Sequence, residues 1–233
     1  MLRQCRKPSC SINNGHFTGT NCPECNDEGK FIMSDRESNG LGRILALVLR
    51  HAPEKFGVEM DINGWVNSRE LSEAIQEKRR HFHWLRGWHF DAIANADVKG
   101  RYQVEGEMIR ATYGHSLELE LDLPTDDIPE GLYWPCEPDS VETHMEYGIT
   151  SGDRNHVHLS KTIPNALEAG HVRISRPAIL EVDTTRAIAD GFTIWRAGKT
   201  VFLCEEMPAD YLYHVEADDP AIQEVFTQWQ EEE

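Results

Sequence analysis

Long apolar runs are missing from this sequence. The longest covers residues 44–49, far short of the roughly 20 residues that a membrane-spanning helix needs. The start of the chain carries no apolar segment of the secretory kind, so we expect a reducing, cytoplasmic compartment. In such a compartment the six cysteines would be thiols or metal ligands and not disulfides. The composition therefore argues against a membrane-spanning protein.

Lysine is also scarce, with 7 lysines against 16 arginines. Acidic residues number 40 against 23 basic ones, which gives a net charge of −17. A surface of this kind repels nucleic-acid phosphate at long range, so any RNA or DNA site must be a local basic pocket. A lysine-poor, acidic chain suits a high-salt cytoplasm, and an ordinary acidic cytosolic protein is an equal alternative.

The chain has 233 residues, enough for one large domain or two smaller lobes. Changes in composition along it indicate four parts. They are a cysteine-rich segment (1–36), a region of helices and a hairpin (37–123), a region of short strands (124–215) and an acidic tail (216–233).

The cysteine-rich segment has almost no apolar periodicity, so packing alone is not expected to fold it. Its cysteines form a C-x4-C and a C-x2-C pair, and two such thiolate pairs can hold a tetrahedral zinc ion that supplies folding energy. A flexible leader with free thiols is the alternative, and His16 between the pairs leaves the fourth ligand open. The expected zinc-ribbon-like ligands are Cys5, Cys10, Cys22 and Cys25.

The region 37–123 has apolar residues at helical spacing in three places, followed by two alternating segments around Gly106. Three helices and a two-stranded wing are typical of a winged helix-turn-helix lobe. The predicted helices cover about 41–50, 70–78 and 88–96, and the predicted strands cover 101–105 and 108–111.

A polar, proline-containing stretch at 124–129 predicts a hinge to a second lobe. Short strands with few helices follow it, so the whole chain is assigned to the α+β class. The acidic end is expected to be a solvated tail or a terminal helix. The predicted strands of the second lobe cover 131–134, 156–159, 178–182 and 200–204, and its predicted helices cover 140–147 and 163–169.

Four basic residues stand beside apolar helix or strand residues, where a solvated charge is not expected. Guanidinium groups bind phosphate bidentately and histidine exchanges protons near neutral pH, so such a set suits phosphate recognition with proton transfer. Taken singly, each is more simply explained as structural, because an Arg-His pair at a helix end is commonly a cap favoured by the helix dipole. The four are Arg50, His51, Arg110 and Arg154.

Two short segments carry further polar groups. His156, His158 and Ser160 alternate along a predicted strand and so share one face. No carboxylate or cysteine lies at ligand spacing nearby, so this face suits hydrogen bonding to a polar ligand better than zinc. Residues 113–116 predict a turn at glycine whose histidine and serine could hold phosphate or ribose oxygens, with a plain turn as the alternative.

Five segments of the sequence carry a recognisable pattern together. They are Leu47-Val-Leu-Arg-His51, Asp61-Ile-Asn-Gly-Trp-Val66, Asp97-Val-Lys-Gly-Arg-Tyr102, Ile109-Arg-Ala-Thr-Tyr-Gly-His-Ser116 and Gly148-Ile-Thr-Ser-Gly-Asp-Arg-Asn-His-Val-His-Leu-Ser160. In both order and spacing these segments resemble the NAD-dependent RNA 2′-phosphotransferases, often called tRNA 2′-phosphotransferases. The resemblance covers about 41–215, and the cysteine-rich segment looks like the extension of some archaeal members.

The resemblance implies a winged-helix RNA lobe joined to an ADP-ribosyltransferase-like NAD lobe, with the active site in a cleft between them. It also implies a two-step reaction, in which an internal RNA 2′-phosphate attacks the nicotinamide-bearing ribose carbon of NAD and the ribose 2″-hydroxyl then displaces the RNA 2′-oxygen. The implied products are 2′-hydroxyl RNA, ADP-ribose 1″,2″-cyclic phosphate and nicotinamide. No metal is required for this chemistry, and no membrane or protein partner is implied.

The family's Arg-His-Arg-Arg set falls on the four basic residues described above. Arg50 and Arg110 are expected to grip the RNA 2′-phosphate, His51 to transfer protons, and Arg154 to bind phosphate charge on the NAD side. The residues expected to contact NAD are Thr112, His115, Ser116, Gly148, His158 and Ser160.

Three positions depart from the family pattern. Leu132-Tyr-Trp-Pro-Cys136 stands where Leu-Tyr-His-Gly-Thr is usual, Ala197-Gly-Lys199 replaces a Ser-x-Asn element, and Tyr113 replaces a glutamine. Because the four basic residues are intact, these changes bear on NAD geometry more than on capture of the RNA phosphate.

Two other functions compete with this interpretation. A non-catalytic zinc-ribbon, winged-helix regulator of nucleic acid would explain the first half, but it has no use for the basic and histidine residues of the second lobe. An ADP-ribosyltransferase that modifies a terminal RNA phosphate or another nucleophile would use the same fold, and only its product distinguishes it.

Overall fold

The computed structural model describes residues 1–120, 122–152 and 154–232. The chain divides into two compact units, Met1–Asp122 and Leu123–Glu233. Each unit has its own hydrophobic core and mixes helices with small antiparallel sheets, as expected for a mixed α and β chain. Among the described residues, every helix is too short or too polar to serve as a membrane span.

The cysteine-rich segment folds as a small sheet at the start of the first unit. Its strands are β1 (Leu2–Gln4), β2 (His16–Thr18) and β3 (Lys30–Met33). They are antiparallel, with β1 in the centre. Leu2, Ile32 and Met33 are buried in the main core of the unit. Apolar packing therefore does hold this segment, contrary to the expectation from its composition, because its few apolar residues lie at its two ends.

Helix α1 (Asp35–Arg50) begins earlier than the apolar spacing predicts. The Ser34 hydroxyl accepts from the Glu37 N–H at 3.3 Å, and the Glu37 carboxylate accepts from the Ser34 N–H at 2.8 Å. This capping box satisfies N–H groups that have no partner within the helix. The first turn is largely exposed and so carries no apolar signal.

The next two helices lie close to their predicted positions. They are α2 (Ser68–Lys78) and α3 (Trp88–Ala96). Asn67 caps α2, since its side-chain oxygen accepts from the N–H groups of Arg69 and Glu70 at 2.9 and 3.1 Å. That cap explains why α2 begins before the predicted residue 70.

The predicted hairpin is part of a three-stranded sheet. Its strands are β4 (Val66–Asn67), β5 (Tyr102–Glu105) and β6 (Met108–Ala111). The sheet is antiparallel with β6 in the centre. Gly106 turns the hairpin at φ 57°, a conformation that favours glycine. The short strand β4 places the preceding turn, residues 61–65, beside β6.

The second unit contains a larger antiparallel sheet. Its strands are β7 (Gly131–Cys136), β8 (Ile149–Thr150), β9 (Val157–Ser160), β10 (Ala178–Asp183), β11 (Trp195–Arg196), β12 (Val201–Cys204), β13 (Glu206–Met207) and β14 (Leu212–Val215). Six of them form one sheet in the order β11-β12-β9-β7-β10-β14, and β8 pairs with β13 separately. The strands β8, β11, β13 and β14 were not predicted, because they are too short or too exposed to show apolar alternation.

Helices pack against this sheet. They are α4 (Val141–Tyr147), α5 (Ile163–His171), α6 (Thr184–Ala189) and α7 (Pro220–Glu232). The acidic end of the chain takes the helical alternative, since Ile222 and Val225 of α7 are buried in a cluster with Leu167 and Ile179. Helix α6 was not predicted; Asp183 caps it by accepting from the Arg186 N–H at 2.9 Å.

Candidate functional site

The end of α1 and the segment after β6 lie side by side in the first unit. The Ser116 N–H donates to the Arg50 carbonyl oxygen at 3.0 Å. The Ser116 hydroxyl oxygen and His51 Nδ1 are 3.0 Å apart, within hydrogen-bond distance. The fold thus brings the predicted Arg-His pair next to the predicted phosphate- or ribose-binding turn.

Arg50 is held close to this turn. Its guanidinium lies 5.1 Å from the centre of the Tyr113 ring, and its Nε and Nη2 atoms are buried without a hydrogen-bond partner among the described residues. Gly114 has φ 84°, and a Cβ there would lie 3.1 Å from Arg50 Nη1, so glycine lets the backbone approach. Unsatisfied buried donors are costly to the protein alone but complementary to a bound anion.

Arg110 on β6 is almost fully buried and held by several groups. Gln103 Oε1 accepts from its Nε and Nη2 at 2.9 and 2.7 Å, and the Asn63 carbonyl accepts from Nη1 at 3.3 Å. Nη1 also donates to the Asp122 carboxylate, and the guanidinium lies 4.3 Å from the Trp65 ring centre. Arg110 therefore already has an anionic partner within its own unit, whereas Arg50 has no such ion pair in the described part of the chain.

The turn before β4 supplies two of the groups around Arg110. Asp61 Oδ1 accepts from the N–H groups of Asn63 and Trp65 at 3.0 and 2.8 Å. Gly64 has φ 85°, which this turn requires. The motif at 61–66 thus fixes a carbonyl and an indole ring beside the arginine.

Thr112 and His115, two of the residues expected to contact NAD, are buried in or just before the turn formed by residues 113–116, next to Arg50. The Thr112 hydroxyl donates to the Gly100 carbonyl at 2.8 Å. His115 is close to the turn before β4, because a Cβ on Gly64 would lie 3.9 Å from its Nε2. The structure therefore places Thr112, His115 and Ser116 in the first unit.

The motif at 97–102 stabilises the entry to β5. Arg101 donates to the buried Asp97 carboxylate through Nε at 3.0 Å and Nη2 at 2.7 Å. Burial opposes ionisation of Asp97, but the hydrogen bonds and charge of Arg101 outweigh it and lower the pKa of this carboxyl. This ion pair stabilises the loop that contains Gly100, whose carbonyl oxygen accepts the hydrogen bond from the Thr112 hydroxyl.

The remaining predicted residues lie in the second unit. His158 and Ser160 are two residues apart on β9 and share one face of the sheet. His158 Nδ1 lies 2.9 Å from the His156 carbonyl oxygen, and His156 packs edge-on against Trp195 with ring centres 5.5 Å apart. Burial lowers the pKa of His156, although Glu205 opposes the shift. Arg154 is exposed just before this strand.

Gly148 is required by the backbone, independently of the NAD contact expected for it. It has φ 84°, and a Cβ there would lie 2.5 Å from the Met207 carbonyl oxygen. Only glycine fits this close approach between the end of α4 and β13.

The departures from the family pattern have structural roles here. Pro135 lies on β7, and a Cβ on Gly170 of α5 would meet its side chain at 2.7 Å, so the ring packs directly under that helix. Trp134 packs edge-on against His144 with ring centres 4.8 Å apart. The Ala197 and Gly198 N–H groups donate to the Val201 carbonyl at 3.0 and 2.9 Å and close the β11–β12 hairpin.

Sequence reasoning missed the groups that hold the two arginines. Tyr113 was noted as part of the predicted turn and as a departure, without a contact to Arg50. Trp65, Gln103 and Asp122 were not assigned a role near Arg110. Gln103 could have been found from the predicted hairpin, since it faces Arg110 across β5 and β6. Asp122 has no such signal because its contact comes from a segment without regular structure.

The four cysteines of the cysteine-rich segment, which we call the leader, have their sulfur atoms close together. Their sulfur atoms lie within 4.8 Å of one another, with Cys5 to Cys25 at 3.7 Å and Cys10 to Cys22 at 3.8 Å. A tetrahedral site with Zn–S bonds of about 2.3 Å has sulfur separations of about 3.8 Å, whereas a disulfide has about 2.05 Å. The cluster could hold a metal ion with four sulfur ligands, without a ligand from His16.

Comparison with known proteins gives a consistent result. A family model described as "RNA 2′-phosphotransferase, Tpt1 / KptA family" matches residues 35–206. A protein of Methanosarcina mazei named "Probable RNA 2′-phosphotransferase" is 35% identical over 93% of this chain and 100% of its own length. Proteins of the same name from Thermoplasma acidophilum (34% identical, 93% of this chain and 92% of the relative) and, numbered 1, from Archaeoglobus fulgidus (36%, 85% and 90%) agree.

The matched range includes the end of α1, the turn before β4, the hairpin, the loop after β6 and strand β9. The family model covers most of the chain, and the relatives are matched over nearly their whole length. The chain therefore belongs to the RNA 2′-phosphotransferase, Tpt1 / KptA family, a family of enzymes.

Proposed function

We propose that the protein removes an internal 2′-phosphate from RNA, of the tRNA splice-junction type, by transferring it to NAD. The first unit is the winged-helix RNA lobe and the second is the ADP-ribosyltransferase-like NAD lobe. The products are 2′-hydroxyl RNA, ADP-ribose 1″,2″-cyclic phosphate and nicotinamide. Membership of the family and the archaeal relatives named "Probable RNA 2′-phosphotransferase" support the RNA 2′-phosphate as the group that is transferred.

The observation that carries the proposal is the state of Arg50. Two of its guanidinium nitrogens are buried without a partner among the described residues, directly beside the His51–Ser116 pair. A phosphate dianion would satisfy both donors through a bidentate contact. Arg110 would provide the second positive charge once the phosphate displaces Asp122 from its Nη1.

His51 is the proton-transfer group of this proposal. In the first step a phosphate oxygen bonds to the nicotinamide-bearing ribose carbon, and nicotinamide leaves with the electrons of the broken C–N bond. In the second step the ribose 2″-hydroxyl oxygen attacks phosphorus and loses its proton, while the RNA 2′-oxygen leaves and takes one up. The contact with the Ser116 hydroxyl would orient the His51 ring for this exchange.

Most of the residues that we propose to bind NAD lie in the second unit. His158 and Ser160 present polar atoms on one face of β9, and Arg154 is exposed at its start, which suits a polar, anionic ligand such as a dinucleotide. We assign the ribose and phosphate contacts of NAD to this face and to Gly148. From the first unit we assign Thr112, His115 and Ser116.

The cysteine cluster is assigned a structural zinc ion. Its four sulfur donors and their separations fit tetrahedral coordination, and thiolates are the ligands zinc prefers in structural sites. All four positions are filled by protein, so this ion would stabilise the leader and take no part in phosphate transfer.

Incubating the purified protein with NAD and an RNA bearing one internal 2′-phosphate tests the proposal. Loss of the RNA phosphate together with formation of nicotinamide and the cyclic phosphate supports it. Stable ADP-ribosylated RNA would instead identify an ADP-ribosyltransferase, and binding without turnover would identify a nucleic-acid-binding module. The same RNA with an ordinary 2′-hydroxyl is the control substrate.

The variant His51→Ala tests the proton role. We expect it to slow the second step by roughly 100-fold, the usual contribution of a positioned acid or base, so that RNA joined to ADP-ribose through its 2′-phosphate accumulates. The exposed His214 on β14 provides the matched control, His214→Ala. A second step that proceeds at the wild-type rate in His51→Ala would refute the role.

A further inference from the structure

One motif has no role in the proposed transfer reaction. Residues 78–90 contain four of the 23 Lys and Arg residues, three of the 11 histidines and two of the six tryptophans, and no acidic residue. They form the end of α2, a short 3-10 helix at Arg80–Phe82 and the start of α3. In a chain of net charge −17 this is a local basic and aromatic surface.

The motif contributes to the lining of a groove of about 590 Å³ in the first unit. Trp84, Arg86 and Trp88 of the motif line it, together with Phe31 of β3 in the cysteine-rich leader. We call this cavity the Trp88 groove. It is separate in sequence from the phosphate-binding residues at 50–51 and 110–116.

The aromatic rings of the groove are accessible and yet held in place. Phe31 and Trp88 are 48% and 47% exposed, large fractions for such apolar side chains. Trp88 stacks on the buried His89 with ring centres 3.7 Å apart, and Trp84 meets the same ring edge-on at 4.9 Å. The Arg86 N–H donates to His89 Nδ1 at 2.9 Å, which fixes the supporting ring.

The charges around the groove favour an anionic ligand. Arg86 lines it, and Lys30 Nζ lies 5.7 Å from the centre of the Trp88 ring. One acidic side chain, Glu37, also lines the groove, but its carboxylate accepts from the Ser34 N–H and hydroxyl at 2.8 and 2.7 Å. Exposed aromatic rings together with cations bind single-stranded nucleic acid, because bases stack on the rings and phosphates pair with the cations.

We propose that the Trp88 groove binds an unpaired nucleotide of the substrate RNA, other than the one that carries the 2′-phosphate, by stacking its base against Trp88 and Phe31. Arg86 and Lys30 contact the neighbouring phosphates. The proposal rests on RNA being the substrate class of the proposed function. It assigns the cysteine-rich leader a direct part in RNA binding, because β3 supplies Phe31 and Lys30.

Fluorescence anisotropy of a labelled single-stranded RNA with ordinary 2′-hydroxyls, titrated with the full chain, tests the proposal without NAD or turnover. We expect Trp88→Ala to weaken binding about tenfold, as loss of one base-stacking ring does. Trp88→Phe retains a ring and should restore most of the affinity. Arg86→Gln should reduce the slope of log affinity against log salt by about 1.

Matched controls come from the second unit. Tyr147→Ala removes an aromatic ring that is 75% exposed, and Arg173→Gln removes an exposed arginine, and neither should change RNA affinity. Circular dichroism of each variant checks that the fold is retained. In turnover assays the Trp88→Ala variant should raise KM for 2′-phosphorylated RNA and leave kcat unchanged.

Several results would overturn the proposal. They are RNA affinity that is equal in the wild type and Trp88→Ala, an equal loss in Tyr147→Ala, binding of poly-glutamate as tight as that of RNA, and self-association of the chain that Trp88→Ala abolishes. Absence of phosphate transfer by a wild-type protein that still binds RNA through Trp88 would refute the proposed reaction and leave the groove assignment standing.

Discussion

Arg50 and Arg110 are two guanidinium groups in very different surroundings. Arg110 has a hydrogen-bond acceptor for each of its three nitrogens, one of them the carboxylate of Asp122, and a tryptophan ring packs against it. Arg50 packs on Tyr113 and keeps two buried nitrogens without a partner among the described residues. At the level of single residues, Arg50 therefore has buried donors that an anion could satisfy. Arg110 would have to release the Asp122 carboxylate before its Nη1 could bind another anion.

Substituting Arg50 tests this difference. Arg50→Gln should lower kcat/KM for 2′-phosphorylated RNA by about 100-fold, since a charged hydrogen bond is worth about 1.5–3 kcal/mol. Arg43, an exposed arginine on the same helix, provides the control Arg43→Gln, which should leave kcat/KM unchanged. Equal kinetics in the two variants would contradict a phosphate contact at Arg50.

Asp122 is expected to compete with the substrate for Arg110. Asp122→Asn keeps an oxygen acceptor but removes the negative charge that phosphate must displace. Because Asp122 is half-exposed, the effect should be modest, about a threefold fall in KM for phosphorylated RNA. Steady-state kinetics measure it, and a rise in KM would show that Asp122 positions Arg110 instead of competing for it.

The predicted phosphate-binding residues could be proposed from the sequence because Arg50 and His51 at the end of α1 and Arg110 in the hairpin belong to recognisable sequence motifs. Their partners could not be proposed, with the exception of Gln103. Tyr113 contacts Arg50 through the close approach at Gly114, and Trp65 reaches Arg110 through a turn far away in the chain. Such contacts depend on tertiary packing, which no local pattern records.

At the scale of elements, the sequence predicted best where helices carry a buried stripe. Helix α3 has the predicted bounds. Helix α1 was predicted too short because its first turn depends on the Ser34–Glu37 capping box, a signal that apolar spacing does not contain. Strand β14 was missed because it lies at the sheet edge with Tyr213 and His214 exposed.

The cysteine-rich segment contributes both a small sheet and the proposed zinc ligands. Its strands bury Leu2, Ile32 and Met33 in the core of the first unit, while its cysteine cluster lies in the two loops that connect the strands. Zinc bound to the cluster would therefore stabilise the unit as well as the leader. Loss of the ion should also disturb β3 and its contribution to the Trp88 groove.

Metal analysis tests the cluster directly. We expect one zinc per chain, and a strong chelator should lower the melting temperature by about 5 °C or more. Cys22→Ala should lose the metal, whereas Cys136→Ala, which removes a buried thiol of the second unit, should retain it. A wild-type protein that is purified with its thiols reduced and takes up no zinc at neutral pH would exclude the assignment.

At the scale of the whole molecule, each of the two units is stabilised by its own buried apolar residues. The largest core lies within Met1–Asp122, and the cores of the second unit lie within Leu123–Glu233. Helix α7 belongs to the second unit through Ile222 and Val225, which are both buried. The acidic end, for which a solvated tail or a terminal helix was expected, is therefore a helix with a buried apolar face.

The second unit should fold alone. A fragment of residues 123–233 is expected to melt cooperatively, because its sheet and helices form a complete core. A fragment of residues 123–215, which lacks α7, should be less stable by about 3 kcal/mol, the contribution of burying two aliphatic side chains. Circular dichroism in denaturant measures both. Equal stability of the two fragments would show that α7 adds nothing to the core.

Helix α1 links the Trp88 groove to the proposed phosphate-binding residues. Glu37 near its start lines the groove, and Arg50 at its end is the residue we propose to bind phosphate. At 1.5 Å per residue the thirteen steps between them fix a span of about 20 Å. A strand with stacked bases about 3.4 Å apart needs roughly six nucleotides to cover that distance. The rigidity of a single helix would thus set a minimum length for RNA that engages both ends at once.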